Sequence, residues 1–228
     1  MNRPNEDPIE LTPELLLRAY ALGVFPMAEH REDADVFWVQ PKRRGTVPLD
    51  SFHVTRRLKR TVRNGPFEVS CDTAFRDVMV CCAEATEHRD ETWINAPILA
   101  AYTELHQLGF AHSVECRIDG ELVGGLYGIS LGAAFFGESM FSRARDASKI
   151  AMVHLVARLK YAGYTLLDTQ FITDHLKQFG AVEISAKRYT RLLNDAIARE
   201  ATFYSGALTP ELSSVLESVL RQSSTQTS

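Results

Sequence analysis

The sequence predicts an α/β (α+β) protein in which helices flank a mixed sheet. Asp119-Gly120 separates two apolar-rich runs, 111–118 and 121–129, and this is the strongest short signal for a hairpin. A turn at Leu131-Gly132 adds a third strand, and a helical pattern followed by a β-rich run at 164–170 comes next. A meander followed by a crossover helix and another strand is typical of a mixed sheet covered by helices.

Helix-capping residues predict the elements that precede this meander. Thr12-Pro13-Glu14 is typical of a helix start, and Gly23 lies just beyond the expected end of that helix. Asp72 is expected to cap a second helix. Asn95 is expected to cap a third helix, which follows a charged loop at 87–91.

The segments after the crossover helix are short. They are predicted to be a helix at 174–179, a strand at 182–184 and a helix near 189–198. Thr209-Pro210 predicts the start of a terminal helix. Residues 1–10 and 222–228 are polar, so we expect a loose N-terminus and a disordered tail.

Composition narrows the class of protein. The 228 residues are 45% hydrophobic and 24% charged, and the net charge of −4 gives no overall basic excess. The sequence has no signal-peptide pattern and no apolar run near the ~18 residues of a membrane span, so we expect no membrane contact and a cytoplasmic location. The four cysteines lack C-x-x-C spacing and the seven histidines lack ligand spacing, so no metal is expected.

Glu138 is the most unusual residue of the meander. It follows Gly137 at the expected end of a strongly apolar strand, where a carboxylate needs a cationic partner or a functional reason. The alternative is an edge carboxylate that faces water. Gly124, Gly125 and Gly128 weaken the preceding strand, so they predict the close approach of another backbone or of a ligand.

Segment 51–67 predicts a basic surface. It contains no acidic residue, and on a helical wheel Arg56, Arg60 and Arg63 lie opposite the apolar positions. We call these three residues the basic stripe. Such a face is either an ordinary solvated surface or a phosphate-binding surface, and the lack of acidic residues in a chain of net negative charge favours phosphate binding.

Four motifs together resemble those of the leucyl/phenylalanyl-tRNA–protein transferases. They are GGLYG, FFGESMFS, ASK and LLDTQ, which begin at Gly124, Phe135, Ala147 and Leu166. The resemblance implies a GNAT-like acyltransferase domain with a mixed sheet, preceded by a small N-terminal domain. The implied boundaries are 1–48 for the small domain, 49–208 for the catalytic domain and 209–228 for a C-terminal helix and tail.

The resemblance also implies an activity and its partners. An aminoacyltransferase would move Leu, and also Phe or Met, from aminoacyl-tRNA to the α-amine of proteins with N-terminal Arg or Lys. This reaction would feed protein degradation that depends on the N-terminal residue. The implied chemistry uses neither a metal nor a cofactor.

The resemblance assigns roles to individual residues. Acceptor binding falls to Glu138 and Ser139, adenosine binding to Trp93, Tyr20 and Met27, and tRNA phosphate binding to the basic stripe. The apolar aminoacyl pocket is assigned to Leu126, Phe135, Leu155, Leu159 and Leu167. Many family members have Trp where this chain has Met27. Judged by the sequence pattern alone, Leu155 and Leu159 would be core residues and Trp93 a packing anchor.

Asp168 and Gln170 are the predicted catalytic pair. At positions i and i+2 of a strand their side chains are expected to share a face. An aminoacyl ester is already activated, so the protein must position the amine, stabilise the oxyanion and assist proton removal. The alternative is a polar strand end that is satisfied by loop amides.

Two other functions remain open at this point. An acyl-CoA N-acyltransferase would hold its pyrophosphate on a glycine-rich loop at a helix start, whereas 142–149 contains no glycine. Ser148 and Lys149 could still hold a single phosphate there, or simply start a helix. The non-enzymatic alternative is an RNA-binding adaptor that uses only the basic stripe.

Overall fold

The computed structural model describes residues 11–33, 35–84 and 92–222. The predicted loop at 87–91, the N-terminus 1–10 and the tail from 223 onward lie outside the described residues. The α-helices in the described part are α1 (Pro13–Ala21), α2 (Arg56–Asn64), α3 (Phe75–Cys82), α4 (Ala96–Gln107), α5 (Ala147–Tyr161), α6 (Asp174–Lys177), α7 (Ala186–Ile197) and α8 (Pro210–Arg221). The strands are β1 (Phe25–Met27), β2 (Phe37–Val39), β3 (Arg43–Thr46), β4 (Glu68–Cys71), β5 (Ala111–Ile118), β6 (Glu121–Leu131), β7 (Ala134–Ser142), β8 (Leu166–Gln170) and β9 (Val182–Ser185).

Seven of these strands form one mixed sheet. Their order is β4-β5-β6-β7-β8-β3-β9, while β1 and β2 pair in a separate two-stranded sheet. Neighbours in the large sheet are antiparallel except β7 and β8, which are parallel and joined by α5. The predicted α/β (α+β) class with a mixed sheet flanked by helices is therefore confirmed.

Helices cover both faces of the sheet. On one face α5 packs on β5, β6 and β7, and α2 and α8 pack on α5. On the other face lie α1, α3, α4 and α7. A separate apolar core fills each side, and α5, which is buried along most of its length, crosses the first core.

Three of the predicted caps are confirmed by hydrogen bonds. The side chains of Thr12, Asn95 and Thr209 each accept a bond from the backbone N–H three residues later. Each of these residues therefore satisfies one of the unpaired donors in the first turn of its helix.

The predicted cap at Asp72 is wrong. The residue adopts a left-handed conformation with φ of 59°, and α3 begins only at Phe75. Its carboxylate turns towards β5, where it accepts from the backbone N–H of Ser113 and contacts Nδ1 of His112 at 2.8 Å. A cap depends on local spacing, whereas this contact depends on the pairing of β4 with β5.

The glycines of β6 lie where the chain is packed most closely. A Cβ on Gly124 would lie 2.5 Å from the Cβ of Ala147, and one on Gly125 would lie 2.8 Å from the carbonyl oxygen of Val114. A Cβ on Gly128 would collide with the carbonyl oxygen of Phe136. The predicted close approach is confirmed, and Gly124 is the position where it lets α5 settle on the sheet.

The large sheet also includes part of the predicted small domain. Residues 1–48 contain β3, yet β3 lies between β8 and β9 and pairs with both. The N-terminal part that stands outside this sheet consists of α1, β1 and β2. At the other end, α8 packs on α5 and contributes to the core of the first face.

Candidate active site

The site lies where β7 and β8 separate. The two strands pair from Ala134 to Phe136 on β7 and from Leu166 to Asp168 on β8. Beyond these pairs β7 continues along β6, whereas β8 ends at Gln170. The gap opens into a cavity of about 480 Å³ that is lined by both strands and by α5. The split between the two parallel strands therefore exposes polar side chains of both strands to an apolar cavity.

Three of the five predicted pocket residues line this cavity, namely Leu126, Leu155 and Leu167. Phe135 and Leu159 do not line it, because both are 0% exposed and lie in the core behind the cavity wall. Leu159 lies one helical turn beyond Leu155, which carries it past the cavity. Their assignment to the pocket stays a prediction, and in this structure both belong to the same apolar core as the residues that line the cavity.

The cavity wall contains apolar residues that sequence reasoning missed. They are Met140, Phe141, Met152 and Leu176. Met152 precedes Leu155 by three residues on α5, so helical spacing alone could have found it. Leu176 lies on α6, whose placement over the cavity has no local signal in the sequence.

Glu138 lies in the middle of β7 rather than at its end, because the strand extends to Ser142. Its Oε1 accepts from the hydroxyl of Tyr20 at 2.7 Å and from Nε2 of Gln170 at 3.0 Å. The water-facing edge carboxylate is therefore not what the structure contains. Ser139, the other predicted acceptor-binding residue, lines the same cavity.

The surroundings of Glu138 favour its neutral form. Burial raises the pKa of its carboxyl to about 8, and the nearby Asp168 charge adds to this effect. The hydrogen bonds from Tyr20 and Gln170 and the charge of Arg44 act in the opposite direction. The result is a carboxyl group that gains and loses its proton in the physiological range.

Tyr20 lies beneath Glu138 rather than on the cavity surface. It is 0% exposed, and its hydroxyl is hydrogen-bonded to that of Tyr102 as well as to Glu138. Its assignment to adenosine binding stays a prediction, and in this structure its hydroxyl contacts Glu138 and Tyr102. Tyr102, which sequence reasoning missed, comes from α4 and completes a buried hydroxyl pair behind the carboxylate.

Asp168 and Gln170 have different partners. Gln170 has a φ of 52°, which breaks the alternation of the strand, and its side chain reaches Glu138. The carboxylate of Asp168 is 0% exposed and accepts from Arg44, from Tyr189 and from the backbone N–H of Gln170. The two side chains therefore bind different partners, and Asp168 is hydrogen-bonded to the site residue Gln170 through the backbone N–H of Gln170.

A second, smaller cavity adjoins the first. It measures about 70 Å³ and is lined by Met27 and Trp93 together with Phe25, Phe171, Glu138 and Gln170. The structure thus brings Met27 and Trp93, two of the predicted adenosine-binding residues, together beside Glu138 and Gln170. Phe171, which directly follows β8, is 49% exposed and lines both cavities.

Comparison with known proteins identifies the family. Residues 46–194 match the model of the leucyl/phenylalanyl-tRNA protein transferase family, and residues 9–42 match the N-terminal domain of that family. The leucyl/phenylalanyl-tRNA–protein transferase of Paramagnetospirillum magneticum is 61% identical over 193 residues, covering 85% of this chain and 92% of the relative. The chain belongs to this family. It is an aminoacyltransferase whose donor is an aminoacyl-tRNA and whose acceptor is a protein.

Further similarities were found in sequence and in structure. The leucyl/phenylalanyl-tRNA–protein transferase of Phenylobacterium zucineum is 62% identical over 196 residues, covering 86% of this chain and 89% of the relative. Among solved structures, FemX is 14% identical with a TM-score of 0.49, and the match covers 75% of this chain and 66% of FemX.

The basic stripe of this transferase lies on the outer face of α2. Arg56 and Arg60 are exposed, whereas Arg63 donates two hydrogen bonds to Glu217 of α8, at 3.1 and 2.7 Å. The stripe therefore lacks acidic residues only in its local sequence, because the fold brings Glu217 beside it. Arg57, its neighbour on α2, donates to Asp146 at 3.0 Å.

The start of α5 in the transferase differs from the prediction. The helix begins at Ala147, after Asp146 in a left-handed conformation, and Ser148 lies buried within the first turn. The carboxylate of Asp146 is paired with Arg57 and lies 3.5 Å from the ammonium group of Lys149. The carboxylate of Asp146 does not cap the helix, but it places a negative charge beside the helix start that could have held a phosphate.

Two further observations bear on the class of this transferase. Within the described residues, no cluster of three or more His, Cys, Asp or Glu side chains could hold a metal ion. No helix in that same part of the chain is long and apolar enough to cross a membrane.

Proposed function

We propose that this chain is a leucyltransferase that carries Leu, and also Phe or Met, from aminoacyl-tRNA to the α-amine of proteins with N-terminal Arg or Lys. One observation carries the proposal. The apolar cavity at the β7–β8 split meets Glu138 and Gln170 at the same point, so an apolar donor group and a cationic acceptor group can be held side by side.

The donor's aminoacyl side chain is assigned to the apolar wall of the cavity. Leu126, Leu155 and Leu167 provide shape and apolarity without hydrogen-bonding groups, which suits Leu, Phe and Met. The terminal adenosine is assigned to Trp93 and Met27 in the adjoining cavity, where stacking on an aromatic ring contributes about 1–3 kcal/mol per base.

The acceptor's N-terminal residue is assigned to Glu138 and Ser139. A long cationic side chain can reach the carboxylate of Glu138 and donate a charge-assisted hydrogen bond, which favours the ionised form. Because burial alone disfavours that form, the incoming cation and the ionised carboxylate stabilise each other. Neutral N-terminal residues lack this contribution.

The reaction is an aminolysis of an ester. The α-nitrogen of the acceptor bonds to the donor carbonyl carbon, the ester C–O bond breaks, and the ribose hydroxyl of tRNA leaves with the proton that the amine loses. An amide cannot take up that proton at neutral pH, so Gln170 is assigned to holding the amine. Its Nε2 donates to Glu138, which leaves its amide oxygen as the acceptor for the incoming α-amine.

The tRNA body is assigned to the basic stripe. Arg56 and Arg60 are exposed on α2, and the neighbouring Arg57 reaches Asp146 at the start of α5, close to Ser148 of the cavity wall. The stripe therefore leads towards the cavity that takes the aminoacyl end. Arg63 can join the phosphate contacts only in competition with Glu217.

The two other functions find less support. An acyl-CoA pyrophosphate would need the start of α5, where Asp146 places a carboxylate. An adaptor that only binds RNA does not require Glu138 and Gln170 beside an apolar cavity. We further propose that the transferase works in the cytoplasm and marks its protein substrates for degradation.

The experiment that tests the proposal combines several donors with several acceptors. Leucyl-, phenylalanyl- and methionyl-tRNA and acetyl-CoA are each incubated with peptides that begin with Arg, Lys, Asp or Ala, and the products are identified by mass spectrometry. We expect Leu, Phe or Met to be added to the Arg and Lys peptides only. Transfer from acetyl-CoA instead, or tRNA binding without any product, would refute the proposal in favour of one alternative.

A further inference from the structure

Gln170 adopts a backbone conformation that needs support. Its φ of 52° lies in the left-handed region, which costs a residue with a side chain of this type free energy relative to the extended strand. Its N–H donates to Oδ1 of Asp168 at 2.8 Å, across two residues. Asp168 thus holds the turn that directs the Gln170 side chain towards Glu138.

Asp168 is in turn held by two residues distant in sequence. Nε of Arg44 lies 2.9 and 3.0 Å from the two carboxylate oxygens, and Nη2 lies 2.7 Å from Oδ2. The hydroxyl of Tyr189 donates to the same Oδ2 at 2.6 Å. With these bonds and full burial, Asp168 has no surface on which a substrate could act.

Arg44 connects this carboxylate with the N-terminal part of the chain. Its Nη1 donates to the carbonyl of Gly23 at 2.9 Å, and its guanidinium lies between two rings, 4.7 Å from the centroid of Phe25 and 4.6 Å from that of Tyr189. The side chain is 1% exposed. Phe25 also lines the small cavity beside Met27 and Trp93.

We propose that Arg44, assisted by Tyr189, is a positioning residue for the transfer reaction. It fixes Asp168, which fixes the left-handed turn at Gln170, and thereby sets where the amide of Gln170 meets the amine. The same guanidinium contacts Gly23 and Phe25. It therefore also fixes Phe25, which lines the small cavity assigned to adenosine, relative to the end of β8. This inference rests on the proposed function, because Gln170 must act on the reacting amine.

Replacing Arg44 is expected to slow the transfer step while leaving the binding of peptide and tRNA nearly unchanged. In Arg44→Lys, the ammonium keeps the charge but cannot reproduce the planar two-oxygen contact. We expect kcat for an Arg-starting peptide to fall roughly 10- to 100-fold, while KM for the peptide and Kd for leucyl-tRNA change less than about threefold. Tyr189→Phe removes a single hydrogen bond and should lower kcat roughly three- to tenfold.

A double-mutant cycle with Gln170→Ala separates positioning from general support of the fold. If Arg44 acts through Gln170, Arg44→Lys should lower single-turnover rates only slightly further once Gln170 is Ala. Arg43→Lys, on the same strand but exposed, is the matched control and should leave the rates unchanged. Effects that multiply in the double variant, or a KM change with kcat intact, would overturn the inference.

Three outcomes separate a failure of folding, of the proposed function and of the inference. If Arg44→Lys does not fold, Tyr189→Phe in both backgrounds decides by the same criterion. If the wild type does not transfer Leu to the Arg-starting peptide at all, the proposed function fails and the inference about Arg44 fails with it. If the wild type transfers Leu and the Arg44→Lys and Tyr189→Phe variants do so at the same rate, the inference about Arg44 fails while the proposed function stands.

Discussion

The carboxylate of Glu138 is held, among the described residues, by the neutral donors Tyr20 and Gln170. In the free transferase this arrangement satisfies the hydrogen bonds of the group but leaves its charge without a contacting cation. The pKa of about 8 follows mainly from burial, so the cost falls on the ionised form. A cationic acceptor side chain would offset the cost of ionising the buried carboxylate. Glu138 is therefore expected to affect both the selectivity for acceptor peptides and the free energy of unfolding.

The first prediction concerns stability against pH. The pKa of Glu138 is raised to about 8, against about 4.3 when unfolded, so between these values the native state keeps a proton that the unfolded state releases. The stability that the protonated Glu138 carboxyl contributes to the native state is fully present below the unfolded pKa and is lost as pH rises towards 8. It falls by at most about 1.4 kcal/mol per pH unit. Relative to wild type, Glu138→Gln should therefore gain stability between pH 5 and 8.

Urea unfolding of wild type and Glu138→Gln at several pH values measures this difference. Glu104→Gln, an exposed substitution of the same kind on α4, is the control and should keep the wild-type profile. A free-energy difference between Glu138→Gln and wild type that stays constant from pH 5 to 8 would contradict the electrostatic account of this residue.

At the scale of elements, α2 carries the predicted tRNA surface and α8 modifies it. Arg56 and Arg60 are exposed, while the Arg63–Glu217 pair is also exposed and so contributes little to stability. Phosphates can compete with a surface carboxylate for Arg63. Within the described residues, Arg56 and Arg60 thus have no carboxylate partner, whereas Arg63 must exchange Glu217 for a phosphate.

The second prediction follows from this division. Each phosphate contact contributes roughly −0.7 to −0.9 to the slope of log K against log salt. Replacing Arg56 and Arg60 by Ala should flatten the slope for tRNA binding by about 1.4 to 1.8, and adding Arg63→Ala should flatten it by less than one further contact. Filter binding or fluorescence anisotropy at several salt concentrations measures the slopes.

The control is Arg191→Ala, an exposed arginine of α7 on the opposite side of the sheet. Glu217→Gln should act in the other direction and strengthen binding at low salt, because it frees Arg63. An equal slope for wild type and the triple variant would identify the stripe as an ordinary solvated surface.

The elements also explain what the sequence could predict. The meander follows from Asp119-Gly120 and the helix starts from Thr12, Asn95 and Thr209, because each of these signals is read within a few residues. The resemblance assigned Leu126, Leu155 and Leu167 to the pocket and gave Glu138 and Gln170 separate roles, but it did not predict the hydrogen bond between those two side chains. Turns and caps are thus predicted from neighbouring residues, and site residues from the resemblance.

Other features depend on pairing between distant segments and have no local signal. Insertion of β3 between β8 and β9 joins residues more than a hundred positions apart, and the contact of Arg44 with Asp168 follows from it. The resemblance assigned Phe135 and Leu159 to the pocket, whereas helical spacing alone indicated core for Leu159, and both side chains are fully buried. Tyr102 was missed for a related reason, since its partner Tyr20 lies on another helix.

At the scale of the whole molecule, the catalytic sheet depends on both ends of the chain. The N-terminal part contributes β3 to the sheet and Phe25 and Met27 to the small cavity. The C-terminal α8 covers α5 with four buried side chains, Leu212, Leu216, Val219 and Leu220. The transferase therefore cannot be reduced to its central segment without exposing apolar core.

The third prediction tests this dependence. Deleting residues 209–228 removes four buried apolar side chains, each contributing about 1.5–3 kcal/mol, and their sum is comparable with the whole stability of a typical domain. We expect the truncated chain to lose cooperative thermal unfolding, as followed by circular dichroism. A chain that ends after Gln222 keeps α8 and is the control. A melting temperature within a few degrees of the full chain would contradict the packing role of α8.

The central claim is that one cleft joins an apolar donor pocket to a carboxylate that selects basic N-termini. Its most direct test is kcat/KM for Arg-, Lys- and Ala-starting peptides with leucyl-tRNA, in wild type and in Glu138→Gln. The account predicts that Glu138→Gln loses most of the preference for Arg and Lys, by a factor corresponding to about 2–5 kcal/mol at most, while the Ala peptide is affected far less. A Glu138→Gln variant that keeps the full wild-type preference for basic N-termini would contradict it.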